Sequence, residues 1–315
     1  VLTAMMREHI DRARDRGEPL GGLWASEMPI YGRFGYGPAA QMRGIKFDAR
    51  FAGRGLSEPG VSVRLAGTDE AKEILPELFA SVQATRPGMY QRSEIWWKWR
   101  QFFDPEKHRD GASALRFAIA ESGGNSVGYM IYRQKASWSQ LAEGELRIRE
   151  LIAATDAGYR ALWHFATNVD LFPIVKHWNI PVDDPLQLVL IDGRTVLTED
   201  LSDSLWIRLI DVVDALERRA YTGTGSITIA VQDQFADWND GTYRVNVADG
   251  VAEVAQVTED PDVSMDVNTL GALYLGGHDA MGLARAARIE GSPEAVVRLD
   301  TLFRSAVAPY CGEIF

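Results

Sequence analysis

Between residues 30 and 38 the chain reads Ile-Tyr-Gly-Arg-Phe-Gly-Tyr-Gly-Pro, three glycines and a proline threaded between three aromatic rings. Such a run cannot continue as a long helix, because glycine weakens a helix interior and proline removes a donor from it. Close backbone turns beside packed rings are what this residue set allows. The residues just before it are patterned as strongly. Leu2, Met5, Met6, His9, Ile10 and Ala13 recur at helical spacing with charges on the opposite face. That predicts an amphipathic helix to about Arg16, stopped by Gly17 and Pro19. Residues 20–25 then read as a short buried strand, 26–29 as a loop, and 41–51 as a further strand.

Beyond residue 51 the run Ala-Gly-Arg-Gly-Leu-Ser-Glu-Pro-Gly at 52–60 is the clearest linker candidate. An alternating strand at 61–65 precedes a helix at 68–85, with Thr68 as its cap. Residues 94–103 bring Trp96, Trp97, Trp99, Phe102 and Phe103 onto one helix, as core and subunit interface rather than a ligand box. Residues 117–120 and 127–133 read as a hairpin across Gly123-Gly124-Asn125, followed by a strand at 146–153 and a helix at 156–169. A second break falls near Asp192-Gly193-Arg194. After it come a strand at 205–209, a helix at 212–220, four strands between 225 and 267, and helices at 269–275, 279–287 and 293–303. Two α+β units of about 140 and 110 residues thus follow the opening segment, in keeping with two or three domains for 315 residues.

Lys plus Arg number 33 against 44 Asp plus Glu, a formal charge of −11. That field disfavours nucleic acid and anionic membranes and suits cationic small molecules. No run of about 18 apolar residues predicts a membrane span. The single cysteine, Cys311, leaves no disulfide framework or cysteine-rich zinc site, and His9, His108, His164, His177 and His278 lack metal-ligand spacing. No metal is expected. The opening residues carry no signal-peptide pattern and read as an element already under way, so we expect the domain to begin upstream of Val1 and the protein to be cytoplasmic.

Helix, strand and loop leading through Ala25-Ser26-Glu27 into residues 30–38 resemble the second half of a GNAT N-acetyltransferase domain. More closely, Ala-Ser-Glu-Met-Pro-Ile-Tyr-Gly-Arg-Phe-Gly-Tyr-Gly-Pro-Ala is similar to the signature of the actinobacterial Eis family. Weaker matches follow in the family's order: Pro87-Gly88-Met89-Tyr90, Glu150-Leu151-Ile152-Ala153 ahead of Tyr159-Arg160-Ala161-Leu162-Trp163, and Leu273-Tyr274-Leu275-Gly276-Gly277. The resemblance implies an α+β chain in three parts. Residues 1–55 are the C-terminal part of a catalytic GNAT domain, 56–200 a non-catalytic GNAT-like domain, and 201–315 a domain like the sterol carrier proteins. It also implies acetyl-CoA as cosubstrate, cationic amine acceptors of aminoglycoside, polyamine or lysine type, and a homo-oligomer, hexamer or trimer.

Carried over residue by residue, Tyr31 matches the family's general acid and the α-carboxylate of Phe315 its general base. Ser26 and Glu27 match the strand end that touches acetyl-CoA, and Val1, Leu2 and Thr3 the start of the helix over its pyrophosphate. An ammonium must lose a proton before it attacks a thioester, and an expelled thiolate needs a donor, which a phenol of reference pKa about 10 supplies. A terminal carboxylate of pKa about 3.5 is a poor base in water. Burial against Ile314 and Phe315, action through water, or stabilisation of the cation are three ways it can serve. The glycine-rich turn that should precede the first helix is not in this sequence, and Ile314 stands where some members carry an acidic residue beside the final Phe.

On the residues alone, Tyr31 is a packing tyrosine in an aromatic turn, Tyr36 is its competitor and reads as structural, and chain ends are usually solvated. The apolar ending Ile314-Phe315 points instead to docking. Two readings from other classes stand beside acetyl transfer: a carrier of apolar ligands, and an oligomeric scaffold without catalysis.

Overall fold

The computed structural model describes residues 1–53 and 57–315; the linker and the 55/56 boundary expected above therefore lie partly outside the described residues. In chain order the first half comprises α1 (Leu2–Asp15), β1 (Leu20–Trp24), α2 (Met28–Gly32), β2 (Gly37–Pro38), β3 (Gln41–Asp48), α3 (Ala49–Ala52), β4 (Val61–Ala66), α4 (Thr68–Gln83), α5 (Glu94–Trp96), β5 (Arg116–Ser122), β6 (Asn125–Lys135), β7 (Glu145–Ala153) and α6 (Asp156–Ala166). There follow β8 (Ile174–Ile180), α7 (Leu186–Val189), β9 (Leu197–Asp203), β10 (Leu205–Leu209), α8 (Val212–Glu217), β11 (Gly225–Gln232), β12 (Gly241–Ala248), β13 (Val251–Val257), β14 (Val263–Asp266), α9 (Val267–Tyr274), α10 (Ala280–Arg285), β15 (Ile289–Gly291) and α11 (Pro293–Phe303). They form two compact units, residues 1–41 with 203–315, and residues 42–202.

The first unit is organised by β10, all five of whose residues are buried. Antiparallel β1 and β2 flank it, Leu20 opposite Leu209 and Gly37 opposite Ile207. The alternation of side chains along a strand sends each face of this small sheet into a different core. Leu205, Ile207 and Leu209, with Leu20 and Trp24 of β1, face the larger core under the sheet β13-β12-β11-β14-β15. Trp206 and Ile210, with Leu23 and Ala25, face α1 through Met6, Ile10 and Ala13. Ile10 and Phe34 are almost wholly buried there, each contributing about 1.5–3 kcal/mol of burial free energy. Residues 205–209 thus pair with the opening segment as well as leading into the C-terminal sheet, a partnership that local patterning does not reveal.

The second unit is a seven-stranded sheet ordered β4-β5-β6-β7-β8-β3-β9. The hairpin of β5 and β6 turns through Gly123 and Gly124, both at positive φ (58° and 82°). Alternate residues again divide the faces: Phe117, Ile119, Tyr129 and Ile131 pack with α4 and Trp97, whereas Ala118, Ala120, Met130 and Tyr132 pack with α6 through Leu162, Trp163 and Ala166. The aromatic stretch is one helical run from Glu94 to Gln101 that changes its hydrogen bonding part-way. Ser93 caps three residues of α5, and residues 97–101 then widen into a π-helical turn that buries Trp97 and leaves Trp99 exposed. The strand expected over 41–51 stops at Asp48, whose carboxylate accepts from the Arg50 amide and starts α3.

Candidate active site

The aromatic–glycine turn is built around close approaches that only glycine permits. Gly35 has φ of 84°, and a Cβ there would lie 1.6 Å from Arg208 Nη1. A Cβ on Gly37 would lie 1.8 Å from the Asn268 carbonyl oxygen of α9. The turn is thereby pressed between β10 and α9. Beneath it Arg208 and Asp233, both buried, form a two-pronged ion pair at 3.1 and 2.5 Å. Asp233 also accepts from the amides of Phe235 and Ala236 and from Asn239 Nδ2, which satisfies the buried carboxylate. Sequence patterning singles out neither Arg208 nor Asp233. The unusual signal is an arginine in the apolar strand Leu205-Trp206-Ile207-Arg208-Leu209.

Tyr31 lies in the last turn of α2. That short helix starts with Pro29 in its first turn and ends where Gly35 NH bonds the Gly32 carbonyl. Asn268 Nδ2 also donates to the Gly32 carbonyl at 3.3 Å, and Asn268 is itself held by Arg288 at 2.8 Å. The Tyr31 ring is half-buried at the edge of the α1 core, and its hydroxyl makes no hydrogen bond among the described residues. Tyr36 differs sharply. It is 1% exposed, its hydroxyl lies against Gly21 of β1, and burial pushes its pKa up to about 12. Of the two phenols, Tyr31 is the more accessible one.

Ser26 and Glu27 are exposed in the loop between β1 and α2, on the same short segment as Tyr31. Leu2 packs on the same core as Tyr31, so the start of α1 and the tyrosine share one neighbourhood. The first turn of α1 carries no acidic residue. On β1 one edge bonds β10 and the other is unpaired among the described residues. The last twelve residues follow α11 without regular structure, yet Tyr310, Cys311 and Glu313 are buried and Cys311 is part of the larger core. Pro309 sits against Gly277. Ile314 and Phe315 are half to two-fifths exposed, at 50% and 43%. The tail is therefore seated up to its last two residues. The core it enters is filled by the chain's own Tyr221, Tyr274, Phe303 and Cys311.

In the second unit β7 and β8 run parallel from Glu145/Ile174 to Ile148/His177 and then part. The indole of Trp178 closes that fork by donating to the Arg149 carbonyl at 3.1 Å. The following helix, α6, is already capped by Thr155 and carries Asp156 in its first turn, which repels an anion. Glu150 in the same fork is buried in a pair with Arg92 and accepts from Tyr129 at 2.6 Å.

Three comparisons bear on this geometry. Residues 1–39 and 88–209 match two family models described as acetyltransferase (GNAT) domains, and residues 212–312 match one described as a sterol carrier protein domain. An uncharacterised N-acetyltransferase of Streptomyces avermitilis is 36% identical, the match covering 98% of this chain and 76% of that protein. N-acetyltransferase Eis of Mycobacterium tuberculosis is 33% identical over 98% of this chain and 74% of its own. The crystal structure of Eis1 from Mycobacterium abscessus superposes with a TM-score of 0.84 at 29% identity, covering 99% of this chain and 77% of that one. A GCN5-related N-acetyltransferase from Anabaena variabilis, at 19% identity and a TM-score of 0.85, shares the fold. Among the described residues no group of His, Cys, Asp and Glu is arranged to hold a metal, and no helix is long and apolar enough to cross a membrane.

Proposed function

The chain belongs to the Eis family of GNAT N-acetyltransferases, and from that premise we propose that it transfers acetyl from acetyl-CoA to cationic amines, with Tyr31 as general acid and the Phe315 α-carboxylate as general base. The observation that carries the reading is the contrast between two neighbouring phenols: Tyr36 is buried, while the Tyr31 ring is half-buried and its hydroxyl makes no hydrogen bond among the described residues.

In this reading the amides opening α1 at Val1, Leu2 and Thr3 receive the pyrophosphate, and Ser26 and Glu27 line the thioester arm at the end of β1. The acceptor arrives as an ammonium, drawn by the acidic surface, and gives up a proton to the terminal carboxylate, directly or through water. The free amine attacks the thioester carbonyl, the carbon–sulfur bond breaks, the departing thiolate takes the Tyr31 proton, and the proton then lost from the new amide nitrogen restores the Tyr31 phenol through water. The seated tail supports a role for Phe315, because a terminus buried through Glu313 has lost the freedom that usually makes chain ends inert.

The domain reading that goes with it keeps three parts: 1–55 catalytic, 56–200 silent, and 201–315 delivering the carboxylate. The closed fork at Trp178 and the acid at Asp156 support silence in the middle part. Aminoglycosides, polyamines and lysine side chains are the acceptors proposed, a homo-oligomer the assembly, and the cytoplasm the location. The filled core beneath β11–β15 speaks against a carrier of apolar ligands. The test is release of thiol from acetyl-CoA by the intact protein with an aminoglycoside or polyamine. Acceptor-dependent release supports the reading, and its absence with every cationic amine tried refutes it.

A further inference from the structure

The silent fork of the second unit borders a cavity of about 560 Å³, lined by Ile148 and Arg149 of β7, Lys176 and Trp178 of β8, and Arg133 of β6. Its charge runs against that of the chain. Asp104 is shared by Arg109 (3.1 Å) and Arg133 (2.7 Å), Asp110 by Lys135 (3.1 Å) and Arg147 (2.9 Å), and Glu145 by Arg147 (2.6 Å) and Lys176 (2.8 Å). Arg149 has no carboxylate partner among the described residues, and its guanidinium donates to the backbone carbonyl of Arg100. Five cations thus share three carboxylates, and Arg149 is a sixth. On the far wall Glu199 lies 4.0 Å from Lys46 and Asp200 accepts from Ser202. With those groups counted, two positive charges remain uncompensated.

We propose that this groove is a binding site for a dianionic phosphoryl group of a small phosphorylated molecule, held by Arg149, Arg133 and Lys176 beside the Trp178 indole. The two uncompensated charges match one phosphate dianion. Planar guanidiniums bind phosphate in a two-pronged manner, which favours a phosphoryl group over a single carboxylate. The Trp178 ring is fixed by its bond to the Arg149 carbonyl and is 38% exposed, so it offers a rigid face for a planar group next to the phosphate. Desolvation also lowers the Arg149 pKa, a cost that a bound anion relieves. The site is independent of acetyl transfer and lies wholly within residues 42–202.

The test is calorimetric titration of the intact protein at low ionic strength with inorganic pyrophosphate and with AMP. The variants are Arg149→Gln, Lys176→Gln and, as a control on an exposed helix, Arg12→Gln. The proposal expects at least one of the two probes to bind, with affinity about tenfold or more weaker in Arg149→Gln and unchanged in Arg12→Gln. Pyrophosphate held at the opening of α1 would be insensitive to Arg149, so that pattern contradicts the proposal, as does no binding of either probe up to about 10 mM. Should Arg149→Gln fail to fold, Lys176→Gln decides by the same criterion, since that lysine is on the groove wall.

Discussion

The ring of Tyr31 meets that of Tyr36 edge-on, with centroids 6.3 Å apart and planes inclined at 75°. The Tyr36 ring is buried, and the Tyr31 ring rests edge-on against it with its hydroxyl making no hydrogen bond among the described residues. Exchanging Tyr31 for Phe keeps the edge contact and removes only the donor. The expected result is a fall in kcat of about 10² or more with a melting temperature close to that of the parent protein. Tyr36→Phe should leave kcat within about threefold and change stability by less than about 1 kcal/mol, since the Tyr36 hydroxyl makes no hydrogen bond among the described residues. Thiol-release kinetics and thermal melts of the two variants check this pair.

Gly35 is required by its surroundings on two counts, its positive φ and the Arg208 nitrogen 1.6 Å from any Cβ. Gly35→Ala should therefore destabilise the first unit by about 3 kcal/mol or more, because Arg208 cannot move without abandoning Asp233. Gly123→Ala shares the positive φ but meets nothing within 4 Å, so about 1 kcal/mol is expected there. Denaturant titration of both variants separates strain from collision.

Arg208→Met removes one half of a buried ion pair and leaves Asp233 without its counter-charge. A loss of about 3–5 kcal/mol is expected. The double change Arg208→Met with Asp233→Asn should recover part of that loss, since no uncompensated charge remains. A double variant no better than the single one would show that the pair contributes by shape rather than by charge.

His177 is buried and neutral, and desolvation depresses its pKa to about 3. An unfolded histidine titrates near 6.5, so between these values the unfolded chain binds the extra proton. The stability contribution is full above about pH 6.5 and drains away as pH falls towards about 3, amounting to about 2 kcal/mol lost at pH 5. Chemical denaturation at pH 5 and pH 7 should show this slope, and His177→Gln should flatten it.

Much of this architecture is written locally. The helix at 2–15, the strand at 205–209 and the helix at 293–303 follow from spacing and caps, because apolar residues at period 3.6 or in a short continuous run have few alternatives. What local pattern cannot carry is partnership. That β10 pairs with β1 and β2, more than 160 residues away, depends on tertiary contacts. The strands at 174–180 and 197–203 were missed. The second is mostly exposed and charged, without the alternation that marks a half-buried strand. For the candidate site, the glycine–aromatic turn singles out Tyr31 only through the resemblance it carries, since on the residues alone that side chain reads as packing. Arg208, Asp233 and Asn268, which hold that turn, are not singled out, since nothing in an isolated arginine or asparagine tells which carbonyl or carboxylate it will find.

In the proposed mechanism the chain's end acts in the chemistry near its beginning. The most direct measurement is kcat for thiol release by the intact protein carrying one additional alanine after Phe315, which moves the α-carboxylate by a residue and leaves every side chain in place. A fall of about 10² or more, with unchanged melting behaviour and unchanged acetyl-CoA affinity, is the predicted result. Full activity in the extended protein would contradict it.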